Sequence, residues 1–294
     1  MAGFTGPIMW ARTGNGIRER PQIKTEKKIF VSLRGTLENC TTTVCKSMER
    51  KEETEAHAFQ VVGVFAIIYV PILMIPLPSS VLDLKDWYVT LPTGKPGHPD
   101  TVMQPPLAQY SDEYFKVNAT GNAVVFTGPC DGVTTINSHY PRSELREMSG
   151  LNRAAWSIAS GSHEMRWEGS VVHLPEKKSE TVIGQIHDAK EDIVMVKCTG
   201  KQIVFMSGGK TVHVLDGDYK LGKRYILKIK ASKGVITVYY NDMVKPAFSV
   251  PAKSTKCDNY FKAGCYTQSN ATKGDGKGQY AQVQIFKLAV MHKK

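Results

Sequence analysis

From about Val81 to its end, the sequence predicts an all-β fold, and three observations predict it. Apolar and polar residues alternate in short runs, turn residues recur between the runs, and no stretch of comparable length keeps a clean 3.6-residue period. Runs of about four to eight residues with period two, split by turns at this spacing, belong to sandwiches and barrels.

The runs come in order along the chain. Trp87–Leu91, Ala123–Thr127, Ser170–His173 and Thr181–His187 lead, followed by Gln202–Met206 and Thr211–Leu215. Tyr225–Ile229, Val235–Tyr240 and Gln279–Val290 complete the set. Pro92-Thr-Gly94, Gly128-Pro129, Ser207-Gly-Gly209, Asp216-Gly-Asp218 and Asn241-Asp242 punctuate them. Each is turn chemistry: Gly accepts positive φ, Pro presets its own, and Asn or Asp bond nearby backbone. No glycine-rich phosphate loop follows a strand, and no repeat of 20–50 residues is present.

The 294 residues include 38 Lys and Arg against 27 Asp and Glu, a formal net charge of +11. The composition excludes a collagenous or low-complexity chain and a polytopic membrane protein. Six cysteines are too few for a disulfide-dense mini-scaffold. The charge is uneven. Residues 1–57 hold 10 basic and 7 acidic side chains, residues 58–82 none of either, and residues 83–294 hold 28 and 20, a net +8. An excess of this size points to an acidic partner: nucleic acid, an anionic membrane or an acidic polysaccharide. Aromatic platforms interleaved with basic runs are missing, which argues against nucleic acid.

Three regions result: 1–57 of unassigned role, an apolar segment at 58–80, and the β region at 81–294. Cys40 and Cys45 have no nearby His or second Cys pair, so residues 1–57 offer no zinc site. In the apolar segment, Pro71 and Pro76 limit a regular helix to about 12 residues, the size of a signal-peptide core rather than of a bilayer span. Either a start at Met48 makes this segment a secretory signal, or the full chain uses it as a signal anchor. The expectation is a secreted protein acting as a monomer, the alternative a membrane-anchored one with its β domain outside.

Side chains at i, i+2 and i+4 share one face of a strand. On Arg142-Ser-Glu144-Leu-Arg146-Glu-Met148 that rule collects two guanidiniums around a carboxylate, with Ser143, Leu145 and Glu147 opposite. Guanidiniums bind carboxylates bidentately, and Glu144 can hold its neighbours in place. On Gln185-Ile-His187 an amide sits beside an imidazole, with Ile186 turned to the core. On Lys262-Ala-Gly264-Cys-Tyr266-Thr-Gln268 an ammonium, a phenol and an amide share a face, with Gly264 leaving room for close approach and Lys262 placed to influence Tyr266.

Together these groups suit a 4-linked uronate polymer and its β-elimination. Arg142 and Gln185 neutralise the carboxylate and stabilise the enolate-like state. His187 or Tyr266 takes the C5 proton, and Tyr266 protonates the leaving oxygen. No metal or organic cofactor is required. Hydrolysis would want a pair of carboxylates across the bond, and no partner for Glu144 is evident.

The blocks Arg142-Ser-Glu-Leu-Arg146, Gln185-Ile-His187 and Tyr260-Phe-Lys-Ala-Gly-Cys-Tyr266-Thr-Gln268, in this order, resemble those of the polysaccharide lyase family 7 alginate lyases. The resemblance covers roughly residues 81–294. It implies a β-jelly-roll of two curved antiparallel sheets, with alginate bound on the concave face and cut endolytically to leave an unsaturated uronate. It further implies that Arg142 and Gln185 neutralise, His187 is the base and Tyr266 the acid. The tyrosine does both jobs where proton and leaving group lie on one side, as in mannuronate. Glu144, Arg146, Lys262 and Gln268 are implied as substrate-binding residues, and Ile186 goes with guluronate acceptance. Cys265 departs from the family pattern, on the side facing away from the cleft.

Two other readings stay open from the residues: a lyase of another polyuronate such as glucuronan, and a non-catalytic acidic-polysaccharide-binding module. Cys130, Cys198, Cys257 and Cys265 permit three disulfide pairings on export. Asn39, Asn118 and Asn270 open glycosylation acceptor patterns.

Overall fold

Two antiparallel sheets carry the protein. The first holds β1 (Trp87–Lys95), β2 (His98–Val102), β5 (Arg142–Ser149), β6 (Asn152–Arg153), β8 (Glu180–His187), β9 (Asp192–Thr199), β10 (Gln202–Ser207), β11 (Lys210–Asp216) and β15 (Tyr260–Thr267). The second holds β3 (Phe115–Val117), β4 (Val124–Pro129), β7 (Ser162–His173), β12 (Tyr225–Ser232), β13 (Val235–Tyr240), β14 (Phe248–Pro251) and β16 (Tyr280–Lys293). The computed structural model describes residues 76–252 and 257–294. The expectations for residues 1–57, and for the apolar segment as far as residue 75, lie outside the described residues.

Strand order in the first sheet is β11-β10-β9-β8-β15-β5-β1-β2, with β6 beside β5. In the second it is β14-β13-β12-β7-β16-β4-β3. Neighbours such as β8 and β15 are far apart in sequence, so the centre of the first sheet is assembled by long-range pairing.

Period two is carried through to the packing. In β12, Tyr225, Leu227, Ile229 and Ala231 are buried while Ile226, Lys228 and Lys230 are partly exposed. The buried set meets Leu145, Ile183, Ile186, Phe261, Ala263 and Cys265 of the first sheet and Met165, Trp167, Val283 and Ile285 of the second in one core. β9 was not among the expected strands. Ile193, Val194, Met195 and Val196 are all buried, so this central strand reads as a continuous apolar run without alternation. Its outward-facing Met195 joins Val182, Val204 and Met206 in a separate apolar patch, against which Tyr266 packs.

The folded unit begins before residue 81. A 3₁₀ turn at Pro78–Ser80 is pinned by the Ser79 hydroxyl, which donates to the Ala108 carbonyl at 2.6 Å, and Leu82 and Leu84 follow into the core. Among the described residues no helix is long and apolar enough to cross a membrane. Cys130, Cys198, Cys257 and Cys265 are all free thiols, the first two and Cys265 buried and Cys257 exposed.

Candidate active site

β8, β15 and β5 lie side by side at the centre of the first sheet, so their outward side chains form a continuous surface. The ladder sets which residues adjoin. Lys262 lies between Gln185 and Arg146, Gly264 faces Glu144, Tyr266 faces Arg142, and His187 faces Tyr260. Arg146 in turn pairs with Tyr88 on β1. One irregularity keeps the polar residues in phase. The register of β8 against β9 slips between Val182 and Gly184, where Ile183 and Gly184 both turn to the core. Gly184 is needed there because a Cβ would stand 2.6 Å from the Trp167 ring.

Although these groups face away from the core, they are nearly inaccessible: Glu144 and Gln185 are each 1% exposed, Lys262 7% and Arg142 8%. Glu144 is the hub. Its Oε2 receives Lys262 Nζ at 2.5 Å and Arg142 Nη1 at 3.1 Å, and its Oε1 receives Gln185 Nε2 at 2.5 Å. Burial opposes the charge on Glu144, but Lys262 and Arg142 outweigh it and hold the carboxyl below its usual range. Burial also pushes the Lys262 ammonium down to about 8, assisted by the charge of Arg142 and resisted by Glu144. Such a hub is a poor general acid, because its proton is held off by its partners.

Arg146 has no carboxylate partner among the described residues. Its guanidinium lies 3.6 Å over the Tyr260 ring, and Nη1 reaches the Tyr88 hydroxyl at 3.4 Å. Arg142, Arg146 and Lys262 thus share this surface with a single carboxylate, Glu144, which leaves a surplus of positive charge there. A polyanion would meet that surplus there.

His187 ends β8. Its Nδ1 is 2.5 Å from the Asp188 carbonyl and 3.1 Å from the Tyr260 hydroxyl. Burial raises the Tyr260 phenol to about 12, so it keeps its hydrogen and donates it to the Asp188 carbonyl at 3.0 Å. Nδ1 thus faces two oxygens, a carbonyl and a phenol whose hydrogen is already committed. Nδ1 carries the hydrogen, and Nε2 keeps its lone pair. Burial, then the charge of Lys262, hold the imidazole below its ordinary value of 6.5. A neutral imidazole with a free lone pair is equipped to take a proton.

Tyr266 sits under the Arg142 guanidinium, 3.7 Å from ring centre to Cζ. Its hydroxyl is 3.0 Å from Ser138 Oγ. The expected influence of Lys262 on this phenol is not what the geometry provides: Lys262 turns to Glu144 instead. Residues four apart on a strand are separated by about 13 Å, too far for contact without a bend.

Arg142, Glu144, Gln185 and Lys262 are thus brought into one hydrogen-bonded group, with Tyr266 against Arg142 and His187 within reach of the charges of Lys262, Glu144 and Arg142. Gln268 stands apart, beyond the end of β15, its amide folded back on the carbonyls of Tyr266 and Thr267. The sequence reading missed two site residues. Tyr260 was only part of a motif, and Ser138 lies in an irregular segment before β5 where no periodicity marks it. The expected room beside Gly264 is filled by the protein itself, since a Cβ there would meet the Ser143 carbonyl oxygen at 2.7 Å.

A family model described as alginate lyase matches residues 82–292. A search of curated protein sequences found no match. Among solved structures, the alginate lyase AlgAT5 from polysaccharide lyase family 7 is 44% identical, with a TM-score of 0.70 over 74% of this chain and 99% of that one. The alginate lyase from Corynebacterium sp. is 39% identical, with a TM-score of 0.71 and the same coverage. A doubly substituted variant of the family 7 alginate lyase A1-II′, solved in complex with substrate (GGMG), is 28% identical, with a TM-score of 0.63 over 74% of this chain and 97% of that one. The two packed sheets are accordingly the β-jelly-roll of these enzymes, and with more than half its length matched, the chain belongs to the alginate lyases of polysaccharide lyase family 7.

Proposed function

We propose that the protein cleaves alginate by β-elimination at a 4-linked uronate. The observation that carries the reading is the Arg142–Glu144–Lys262–Gln185 group with His187 and Tyr266 beside it. The substrate carboxylate binds against the surplus positive charge, where Arg142, Gln185 and Arg146 neutralise it and lower the barrier to losing the C5 proton. His187 Nε2 accepts that proton. The electron pair forms the C4–C5 double bond as the C4–O4 bond breaks, and Tyr266 protonates the departing oxygen. Where proton and leaving group lie on one side of the ring, as in mannuronate, Tyr266 serves for both.

Glu144 and Lys262 act in this reading by holding Arg142 and Gln185 in place, and Gln268 contributes from the rim. Ile186 is fully buried, so any influence on guluronate preference is exerted through the backbone that carries Gln185 and His187. Export follows from the charge-free segment at residues 58–82 together with a polymeric substrate that lies outside the cell. Sequencing the N-terminus of the natural product tests that step.

The decisive experiment incubates the protein with alginate, polyguluronate, polymannuronate and glucuronan, and follows short-wavelength ultraviolet absorbance with product sizing. Alginate should gain absorbance and shorten to unsaturated oligomers. Absorbance on glucuronan alone would move the enzyme to another polyuronate, and binding without absorbance would refute catalysis.

A further inference from the structure

Ser138 lies outside the three strands, in the irregular segment between β4 and β5, yet its hydroxyl meets more polar groups than it has bonding capacity to satisfy at random. A serine Oγ offers one hydrogen and two lone pairs. Arg142 Nη2 donates to it at 3.0 Å, and the Tyr140 backbone N–H donates at 3.3 Å. Neither donor can accept, so both lone pairs are occupied. The single hydrogen is left for two acceptors, the Tyr140 carbonyl and the Tyr266 hydroxyl oxygen, each at 3.0 Å.

We infer that Ser138 is a positioning residue for Tyr266: with both lone pairs taken it cannot accept from the phenol, so that the phenol's own hydrogen is free for the substrate, and it then shields the phenolate. The inference deepens the proposed function and rests on its reading of Tyr266 as the acid. As the C4–O4 bond breaks, the phenol O–H bond breaks with it and the proton passes to the glycosidic oxygen. Ser138 then commits its hydrogen to the phenolate instead of the Tyr140 carbonyl, while the Arg142 guanidinium lies over the same ring. Tyr266 regains a proton from water before the next turnover.

The segment that carries Ser138 has its own anchors. Asn270 Nδ2 donates to the His139 carbonyl at 2.9 Å, and the Thr267 backbone N–H donates to the Pro141 carbonyl at 3.2 Å. Removing one hydroxyl therefore leaves the segment attached.

The test compares wild type, Ser138→Ala and Ser138→Thr by kcat and KM on alginate across pH, with thermal melts as a check on folding. Ser138→Ala should lose roughly 10- to 100-fold in kcat with KM within about twofold, the scale of one hydrogen bond to a developing charge. Ser138→Thr, which keeps the hydroxyl, should keep most of kcat. An Ala variant with native kcat would overturn the inference, as would one in which KM rises as kcat falls, or a Thr variant as impaired as Ala. Two controls separate the levels: no ultraviolet absorbance gain on alginate with the wild-type protein defeats the proposed function itself, whatever Ser138 does, and a fully active Tyr266→Phe removes the acid on which the inference rests.

Discussion

Lys262 Nζ and Glu144 Oε2 lie 2.5 Å apart, both nearly inaccessible, in neighbouring positions on β15 and β5. Neither charge is tolerable there alone. Removing one partner of a buried ion pair typically costs about 3–5 kcal/mol, because the other is left uncompensated. Glu144→Ala strands both Lys262 and Arg142, so its unfolding free energy should fall by an amount in that range, read as a lower denaturation midpoint, and its lyase activity should vanish. An unchanged midpoint would show that the group is not a structural hub.

Burial, with Lys262 of the same pair, sets the acid side of the pH profile. His187 is held below 6.5 by burial and by Lys262, so it stays neutral, and able to accept a proton, as pH falls past that value. The acidic limb of kcat/KM should therefore lie below pH 6.5. Lys262→Met removes the repelling charge and frees that of Glu144, and both changes favour the imidazolium. The acidic limb of the variant should move to higher pH, and a shift the other way would contradict the assignment of His187 as base.

On the alkaline side Lys262 loses its proton at about 8. The cleft then has one cation fewer for a polyanionic substrate. KM for alginate should rise above that pH, and should rise less steeply in Lys262→Met, as initial rates at several substrate concentrations would reveal.

Gly264 adopts φ +145°, and a Cβ there would stand 2.7 Å from the Ser143 carbonyl oxygen and 2.9 Å from the Glu144 Cα. Neither is a flexible side-chain tip that can swing aside. Gly264→Ala should cost about 2 kcal/mol or more by calorimetry and should displace Glu144 with its partners, lowering activity as well.

On the opposite face of β5, Glu147 is buried and accepts from the Trp156 indole at 2.9 Å and the Phe261 backbone N–H at 2.8 Å. Its other oxygen meets His292 of the last strand at 2.5 Å. His292→Ala leaves that oxygen without this partner, and should lower stability by about 1–3 kcal/mol while the cleft chemistry survives in the folded fraction. Loss of activity without loss of stability would disprove the division between the two faces of β5.

Much of this was legible in the alternation of short runs. The split of Arg142, Glu144 and Arg146 from Ser143, Leu145 and Glu147 follows from period two alone, as does the inward turn of Ile186 and Cys265. β9 was not legible, because it is apolar on both faces and shows no period. The dependence of β8 on Gly184 was hidden for a different reason: the bulge answers to Trp167, a residue on the other sheet.

By itself the sequence determined the all-β class, the faces of the strands that alternate regularly, and the chemical inventory of amide, imidazole, phenol and cations suited to a uronate. Those are local properties, set by side-chain identity and the two-residue repeat. Only the tertiary structure decided that Glu144 gathers Lys262, Arg142 and Gln185, that Tyr260 fixes the proton on His187, and that Ser138 meets Tyr266. Except for Arg142 with Glu144, two residues apart on β5, each of those contacts joins segments far apart in the chain, through pairings such as β8 with β15 that no local pattern specifies.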